Sequence, residues 1–366
     1  MTLALSGWLF PQNPPPVHLP ARLAIYYGYP SLINGSRGDV EKAASVFSNY
    51  DVVVLGDGLE FPDRRPGRYP EGDPEEHQKA LRIIAAVQHR SPGTHFYGYV
   101  CLGEIQLPGQ QERFLTPQEL EQRIRLWKDM GAGGIFLDEA GYDYAVVTRK
   151  RQNMAVGLIH KLGLSAFMNA YFLDHLFSVE DTLAYANGSG KNPDRLPPLL
   201  DRRDFFLLES FQVKNGAYED VSAWQPRLAQ ALQYRRRFGS GIFATTTTRE
   251  QEPLDSEKFN YFWWTAQLYG LDGIAWGEPN FAAVNNYLPD RRCRLDNTTL
   301  SALREPSAVG SDNVRLWRKA GAFLVVLDSR THSVHRVPFA GSGKSRDVEA
   351  LLRSPQAESV FCGERT

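Results

Sequence analysis

Between about residue 21 and residue 282 the chain alternates short apolar runs with longer amphipathic stretches, and this rhythm limits the available folds more than any other feature. Eight runs read as strands: Leu23–Tyr27, Val52–Leu55, His95–Leu102, Gly134–Asp138, Ser165–Asn169, Phe205–Ser210, Gly241–Thr246 and Gly273–Trp276. Each is too short for a helix, and a near-continuous apolar run is what a strand covered on both faces requires. Polar loops and helical patterns separate them. Eight strand–helix units predict an α/β fold, a (β/α)8 TIM barrel over residues 21–299.

The helices carry start signals. Asp73-Pro74-Glu75-Glu76 and Thr116-Pro117-Gln118-Glu119 each place a capping side chain, a first-turn proline and an acid three residues on. Further helices are predicted over 143–162 and 256–269. The second is dense in Phe259, Tyr261, Phe262, Trp263 and Trp264, read as a face turned to the barrel rather than a ligand box. The Gly-, Pro- and Asp-rich stretch 187–203 is long for a barrel loop and reads as a lid or rim element. Beyond residue 300 the pattern changes. Val314–Lys319, Ala322–Asp328 and Ser333–Val337 predict a small C-terminal antiparallel β appendage over 300–340. Residues 1–20 form an N-terminal extension, and 341–366 a polar, loosely ordered tail.

Composition narrows the function. Of 366 residues, 41 are basic and 42 acidic, for a formal charge of -1. No cationic surplus exists to neutralise phosphates, so nucleic acid is not an expected partner. Cys101, Cys293 and Cys362 are widely spaced, without a CxxC pair, which argues against a disulfide framework or a cysteine-rich zinc site. The start lacks a charged leader and a sustained apolar core, and Pro11, Pro14, Pro15 and Pro16 interrupt it. No signal peptide and no membrane span are predicted, so cytoplasmic residence is the default, unless a leader has been removed.

The stretch Gly134-Ile135-Phe136-Leu137-Asp138-Glu139 locates the chemistry. An apolar strand that ends in two carboxylates delivers them to the rim where barrels work, since burying acids for packing alone costs several kcal/mol, roughly 3 or more. The other strand ends add Tyr26, Tyr27 and Tyr29, then Asp57, then Tyr97, Tyr99 and Glu104, then Asn169 and Tyr171. They continue with Glu209 and Gln212, the threonines 245–248, and Trp276 with Glu278. Carboxylates, amides and aromatic faces together suit a carbohydrate. Glycoside cleavage needs two carboxyl groups astride one bond, and Asp138 and Glu209 are the best pair. Strand alternation should turn Glu139 away from Asp138, although the rule loosens at a strand end. Glu139 and Glu278 therefore remain possible catalytic or substrate-binding residues. Tyr26, Tyr27, Asp57, Tyr97, Tyr99, Asn169, Tyr171, Gln212 and Trp276 are read as substrate-binding. The plainer alternatives are a helix cap or rim ion pair for Asp138 and Glu139, a buried ion pair for Glu209, and packing for single tyrosines.

Other chemistries lack parts. No His-x-His lies on a strand and no lysine ends one, so a metal-dependent barrel hydrolase and a Schiff-base aldolase are both disfavoured. No metal and no organic cofactor are expected. Gly341-Ser342-Gly343-Lys344-Ser345 imitates a phosphate loop, but Pro338 stands where its first glycine belongs.

Tyr97-Gly98-Tyr99-Val100, the capped helix after it and Gly134–Glu139 together resemble the spherulin-4-like glycoside hydrolases, relatives of the endo-α-1,4-polygalactosaminidases. The resemblance spans roughly residues 21–282, with residues 95–145 the specific part. It implies a barrel hydrolase acting on an amino-sugar polymer without metal or cofactor, with Asp138 as nucleophile and Glu209 as acid/base. Members of that family are commonly exported, and the appendage after residue 300 is not part of its pattern. The rival reading is a carbohydrate-binding barrel without catalysis, with its two carboxyls beyond about 10 Å apart.

Overall fold

A computed structural model describes residues 19–56, 58–66, 70–103, 114–249, 255–277, 288, 309–311, 314–320, 322–338 and 348–360. Asp57, Glu104, Glu278, residues 1–18, and the 341–345 run lie outside these residues. By contacts the chain divides into two units. One comprises Ala21–Pro253 with Leu271–Asp290; the other includes Leu254–Gly270 and Arg291–Thr366.

The first unit is the barrel. Its parallel strands are β1 (Ala21–Tyr26), β2 (Val52–Leu55), β3 (His95–Cys101), β4 (Gly134–Asp138), β5 (Ser165–Asn169) and β6 (Phe205–Leu208), then, after a small hairpin, β9 (Gly241–Thr245) and β10 (Gly273–Ala275). They close in the order β1-β10-β9-β6-β5-β4-β3-β2, the eight-stranded TIM barrel that the alternation predicted. Helices α1 (Val40–Phe47), α2 (Pro74–Arg90), α3 (Pro117–Asp129), α4 (Arg149–Lys161), α5 (Leu173–Phe177) and α6 (Val221–Phe238) follow the first six strands. Both anticipated caps form. The Asp73 carboxylate accepts the Glu75 and Glu76 N–H groups, and Thr116 and Glu119 make a reciprocal capping box.

Period-2 alternation sets what fills the interior. Leu23, Ile25, Val52, Val54, Tyr97, Phe136, Phe167, Leu207, Phe243 and Ala275 face inward and pack together. Rings dominate: Phe167 lies 5.1 Å from both Phe136 and Phe243, measured between centroids. Each buried ring contributes about 1.5–3 kcal/mol. Outside β3, Gly98 lets α3 approach, since a Cβ there would lie 2.0 Å from the Trp127 ring. Trp127 Nε1 then donates to the Tyr99 carbonyl at 3.0 Å.

Between β6 and α6 an unforeseen hairpin, β7 (Val213–Lys214) and β8 (Ala217–Tyr218), turns through Asn215 and Gly216 at φ 49° and 74°. Asn-Gly is the sequence signal for such a turn. The loop 187–203 is stitched down rather than left open. Buried Lys191 donates to the carbonyls of Tyr144, Ala145 and Val147 at 3.0, 2.8 and 3.2 Å.

The second unit holds α7 (Ser256–Tyr269) and an antiparallel sheet of β11 (Val309–Ser311), β12 (Arg315–Ala320), β13 (Phe323–Asp328), β14 (Ser333–Pro338) and β15 (Glu358–Ser359). Within this unit α7 packs on the sheet, with the Tyr261 hydroxyl 2.8 Å from Ser329 Oγ, and its residues from Phe259 to Leu268 are all buried. Part of the tail also orders. α8 (Val348–Leu352) buries Val348 against Trp317, Leu324, Val326 and Val337, and β15 pairs with β14. Among the described residues no helix is long and apolar enough to cross a membrane.

Candidate active site

The layer above the aromatic interior follows by counting two residues along each strand. Ile25 leads to Tyr27, Tyr97 to Tyr99, Phe136 to Asp138, Phe167 to Asn169, and Leu207 to Glu209. These five come together at the carboxyl ends of the strands.

Asn169 sits at the centre. Its Nδ2 donates to Asp138 Oδ1 at 2.9 Å and to Glu209 Oε2 at 3.2 Å. The two protons of a planar amide nitrogen diverge by about 120°, which sets those oxygens about 5 Å apart. The Asp138 carboxylate, 9% exposed, also accepts the Glu139 N–H at 2.9 Å and the Tyr99 hydroxyl. Burial pushes its carboxyl up, and these three donors oppose the rise. Glu209 is half-buried. Burial raises it and the Asp138 charge raises it further, against Asn169, Arg227 and Lys214. Tyr27 and Tyr99 meet edge to face at 5.0 Å, and burial beside these acids holds both phenols well above their ordinary value.

The backbone is strained where the acids leave their strands. Glu139, immediately after Asp138, has φ 51°, and Ser210, immediately after Glu209, has φ 49°. Left-handed non-glycine residues cost roughly 1–3 kcal/mol each and gather at functional sites. At this turn Cys101 Sγ donates to Glu139 Oε2 at 3.3 Å. Burial and the neighbouring carboxylates push the Cys101 thiol up.

The Glu209 turn is braced from α6. The Arg227 guanidinium donates to the Glu209 carbonyl and lies 3.5 Å from the Ser210 carbonyl and 3.3 Å from Glu219 Oε1. Glu219 in turn accepts the Gln212 N–H at 2.9 Å. Buried Gln212, itself at φ 62°, thus belongs to the brace through its backbone. Tyr171, 36% exposed, accepts Lys214 Nζ on its hydroxyl at 3.0 Å and carries the Arg227 guanidinium 5.0 Å from its ring centre. Trp276 follows β10 at this end, partly exposed.

Two of the tyrosines read as mouth residues point elsewhere, one by its parity along the strand and the other by its height in the barrel. Tyr26 has outward parity. Its ring packs on Phe47 at 5.6 Å, and its hydroxyl donates to the Tyr29 carbonyl at 3.0 Å. Tyr97 faces inward but one layer too low, 2.7 Å from Ser165 Oγ at the start of β5. Arg227 escaped notice because it lies on a helix 18 residues after Glu209, with no local signal. The threonines 245–248 spend their hydroxyls on loop contacts, as when Thr247 Oγ1 donates to Ser210 Oγ at 3.1 Å.

Among the described residues one group has metal-ligand character: His160, Asp201 and Asp204, with donor atoms within 4.8 Å. It lies at the opposite end of the barrel, before β6. Buried Asp204 already accepts His160 Nε2 at 2.9 Å and the N–H groups of Ala166 and Asp201, both at 2.8 Å. Those bonds fasten α4 and the start of β6, which is reason enough for the cluster.

No family model matches the chain, and no curated protein sequence matches it. Solved structures with distant similarity include an endo-β-1,4-glucanase from Xanthomonas axonopodis pv. citri, at 12% identity and TM-score 0.40, covering 73% of this chain and 88% of that one. A GH18 chitinase from Flavobacterium johnsoniae is 11% identical, with TM-score 0.34, 63% of this chain covered and 69% of that one. The carboxyl transferase domain of Rhizobium etli pyruvate carboxylase gives 11% identity and TM-score 0.39 over 71% of this chain, which spans only 40% of that one. The similar structures thus include glycoside hydrolases, while the TIM-barrel assignment rests on the strand order itself.

Proposed function

We propose that the chain is a retaining glycoside hydrolase acting on an amino-sugar-containing polysaccharide or oligosaccharide. One observation carries the reading: a single amide nitrogen, Asn169 Nδ2, donates to both Asp138 and Glu209, at 2.9 and 3.2 Å, which with ideal amide geometry puts the bonded oxygens about 5 Å apart. Retaining enzymes hold their carboxyl groups about 5–5.5 Å apart, whereas inverting ones leave roughly 6.5–9.5 Å for a water. The same spacing weighs against the non-catalytic binding barrel, which needed more than about 10 Å.

In this mechanism ionised Asp138 attacks the anomeric carbon while protonated Glu209 gives its proton to the leaving oxygen. The C–O bond breaks as the glycosyl–Asp138 ester forms. Glu209, now a carboxylate, takes a proton from water, whose oxygen displaces Asp138 and regenerates both acids. The division of labour fits the surroundings. Asp138 accepts three hydrogen bonds, which favour its charged form, and Glu209 lies beside another acid, which favours its neutral form. Asn169 Oδ1, buried with no protein partner, is placed to accept from a sugar hydroxyl. Tyr27, Tyr99, Tyr171 and Trp276 would line the rings' path. The amino-sugar substrate rests on the resemblance of residues 95–145.

The test is product release from polymers of galactosamine, N-acetylgalactosamine and N-acetylglucosamine, with the product anomer followed by NMR. Asp138→Asn and Glu209→Gln should abolish release in a folded protein. Full activity in either variant, or an inverted first-formed anomer, removes the assignment.

A further inference from the structure

The hairpin that follows Glu209 carries a lysine held by a phenol rather than by a carboxylate. Lys214, exposed at the end of β7, donates from Nζ to the Tyr171 hydroxyl at 3.0 Å and lies 5.2 Å from the centre of that ring. Among the described residues no carboxylate pairs with it. Glu219, which follows β8, is taken by Arg227 at 3.3 Å and by the Gln212 N–H at 2.9 Å. Glu209 lies within the field of Lys214, whose charge acts to lower its carboxyl.

The lysine's position is built. The loop after β9 clasps the hairpin: the Thr247 N–H donates to the Val213 carbonyl at 2.9 Å, the Asn215 N–H to Thr247 Oγ1 at 3.1 Å, and the Gly216 N–H to the Thr247 carbonyl at 3.0 Å. Ser210 and Gln212, left-handed at φ 49° and 62°, turn the chain out of β6 to reach it, and strain of this kind gathers at functional sites. Tyr171 lies two residues beyond Asn169, whose amide bridges the acids. Lys214 thus spans from the Glu209 strand end to the Asn169 strand end.

Donors are left over at this bridge. An ammonium carries three N–H groups and a phenol one O–H. Tyr171 accepts one of the three, and among the described residues neither the other two nor the phenol's own proton has an acceptor. Arg249 adds a second cation to the hairpin, its Nε donating to the Asn215 carbonyl at 3.3 Å. Two adjacent donor groups 3.0 Å apart, one of them charged, suit two oxygens of a single anionic group, whereas a neutral hydroxyl leaves the charge unanswered.

We propose that Lys214 and Tyr171 form an anion-recognition site, selecting a polymer in which the sugar adjoining the cleaved bond carries a carboxylate or a sulfate half ester. The proposal rests on the glycoside hydrolase reading of Asp138 and Glu209 and makes Lys214 a specificity-determining residue of that site.

The experiment measures calorimetric affinities of the Asp138→Asn protein at low and high salt. The probes are oligosaccharides alternating N-acetylgalactosamine with glucuronate, their carboxyl-reduced counterparts, and the reduced counterparts bearing sulfate. At least one acidic form should bind about fivefold more tightly than the neutral one, the preference shrinking as salt rises, and the form preferred names the anion. Amide shifts should appear at residues 171 and 213–216. Lys214→Met should remove the preference and leave affinity for the neutral oligomer in place. Lys214→Arg should keep the preference, and Tyr171→Phe should weaken it. A neutral oligomer bound as tightly as both acidic forms, or a Lys214→Met loss equal for acidic and neutral oligomers, overturns the proposal. Cleavage of neutral amino-sugar polymers without any acid preference sinks the anion site and leaves the hydrolase reading. An acid preference that vanishes in Lys214→Met, in a parent that cleaves none of these polymers, does the reverse.

Discussion

Replacing Asn169 with leucine, close to it in size, separates the shared amide from everything else in the site. The amide donates to both acids, and each hydrogen bond to a charged group is worth about 1.5–3 kcal/mol. Two full charges about 5 Å apart repel by about 3 kcal/mol at an effective dielectric near 20, so the amide's two bonds are comparable with the repulsion they offset. Without it the pair should hold a single charge over a wider pH range, and the Asp138 carboxyl should move further up. In the proposed mechanism Asp138 must be ionised to attack, so the acid limb of the kcat/KM profile should shift to higher pH. At neutral pH kcat/KM should fall about 10- to 150-fold, the loss of one such bond to Asp138. The assay is the pH dependence of kcat/KM on whichever polymer is released, with carboxyl-carbon NMR titration of Asp138 as a readout free of substrate. An acid limb that stays in place or moves down, in a variant that unfolds like the parent, would refute the bridging role.

Three other outcomes follow from the same geometry. Arg227→Met should cost about 1–2 kcal/mol in transition-state stabilisation, roughly 5- to 30-fold in kcat/KM, because it frees the strained turn at Ser210; losing its charge should also raise Glu209 and carry the basic limb upward, and a basic limb that falls contradicts the placement. Asp138→Asn should stabilise the fold at neutral pH. The sign follows from a raised folded value: the native state holds this proton longer than the unfolded chain, so the parent loses stability as pH rises through the window above the ordinary carboxylate value, and the difference should vanish in urea titrations below about pH 4. Arg123→Met should destabilise by about 3–5 kcal/mol, because buried Glu60, 2.6 Å from Arg123, would lose its partner, with much of the loss recovered in the Glu60→Gln/Arg123→Met double variant; a neutral single variant would mean that the pair contributes little to the fold.

The barrel was legible because its signals are local. Each strand announces itself as a short apolar run, and the Asp73 and Thr116 caps are spelled out within four residues. Asp138, Asn169 and Glu209 were legible for the same reason, each ending such a run. Strict alternation alone would have set Tyr26 apart from Tyr27, since Ile25 and Tyr27 share the inward parity. Height inside the barrel is another matter. Tyr97 and Tyr99 read alike in sequence, and only the stagger between β3 and β5 places one against Ser165 and the other against Asp138. Sequence by itself therefore settled the strand count, the helix starts and the residues at the strand ends. The meeting of two acids on one amide nitrogen and the Arg227 brace belong to tertiary structure, because distances between residues 18 to 40 positions apart depend on barrel closure, register and loop packing, which leave no local trace in the chain.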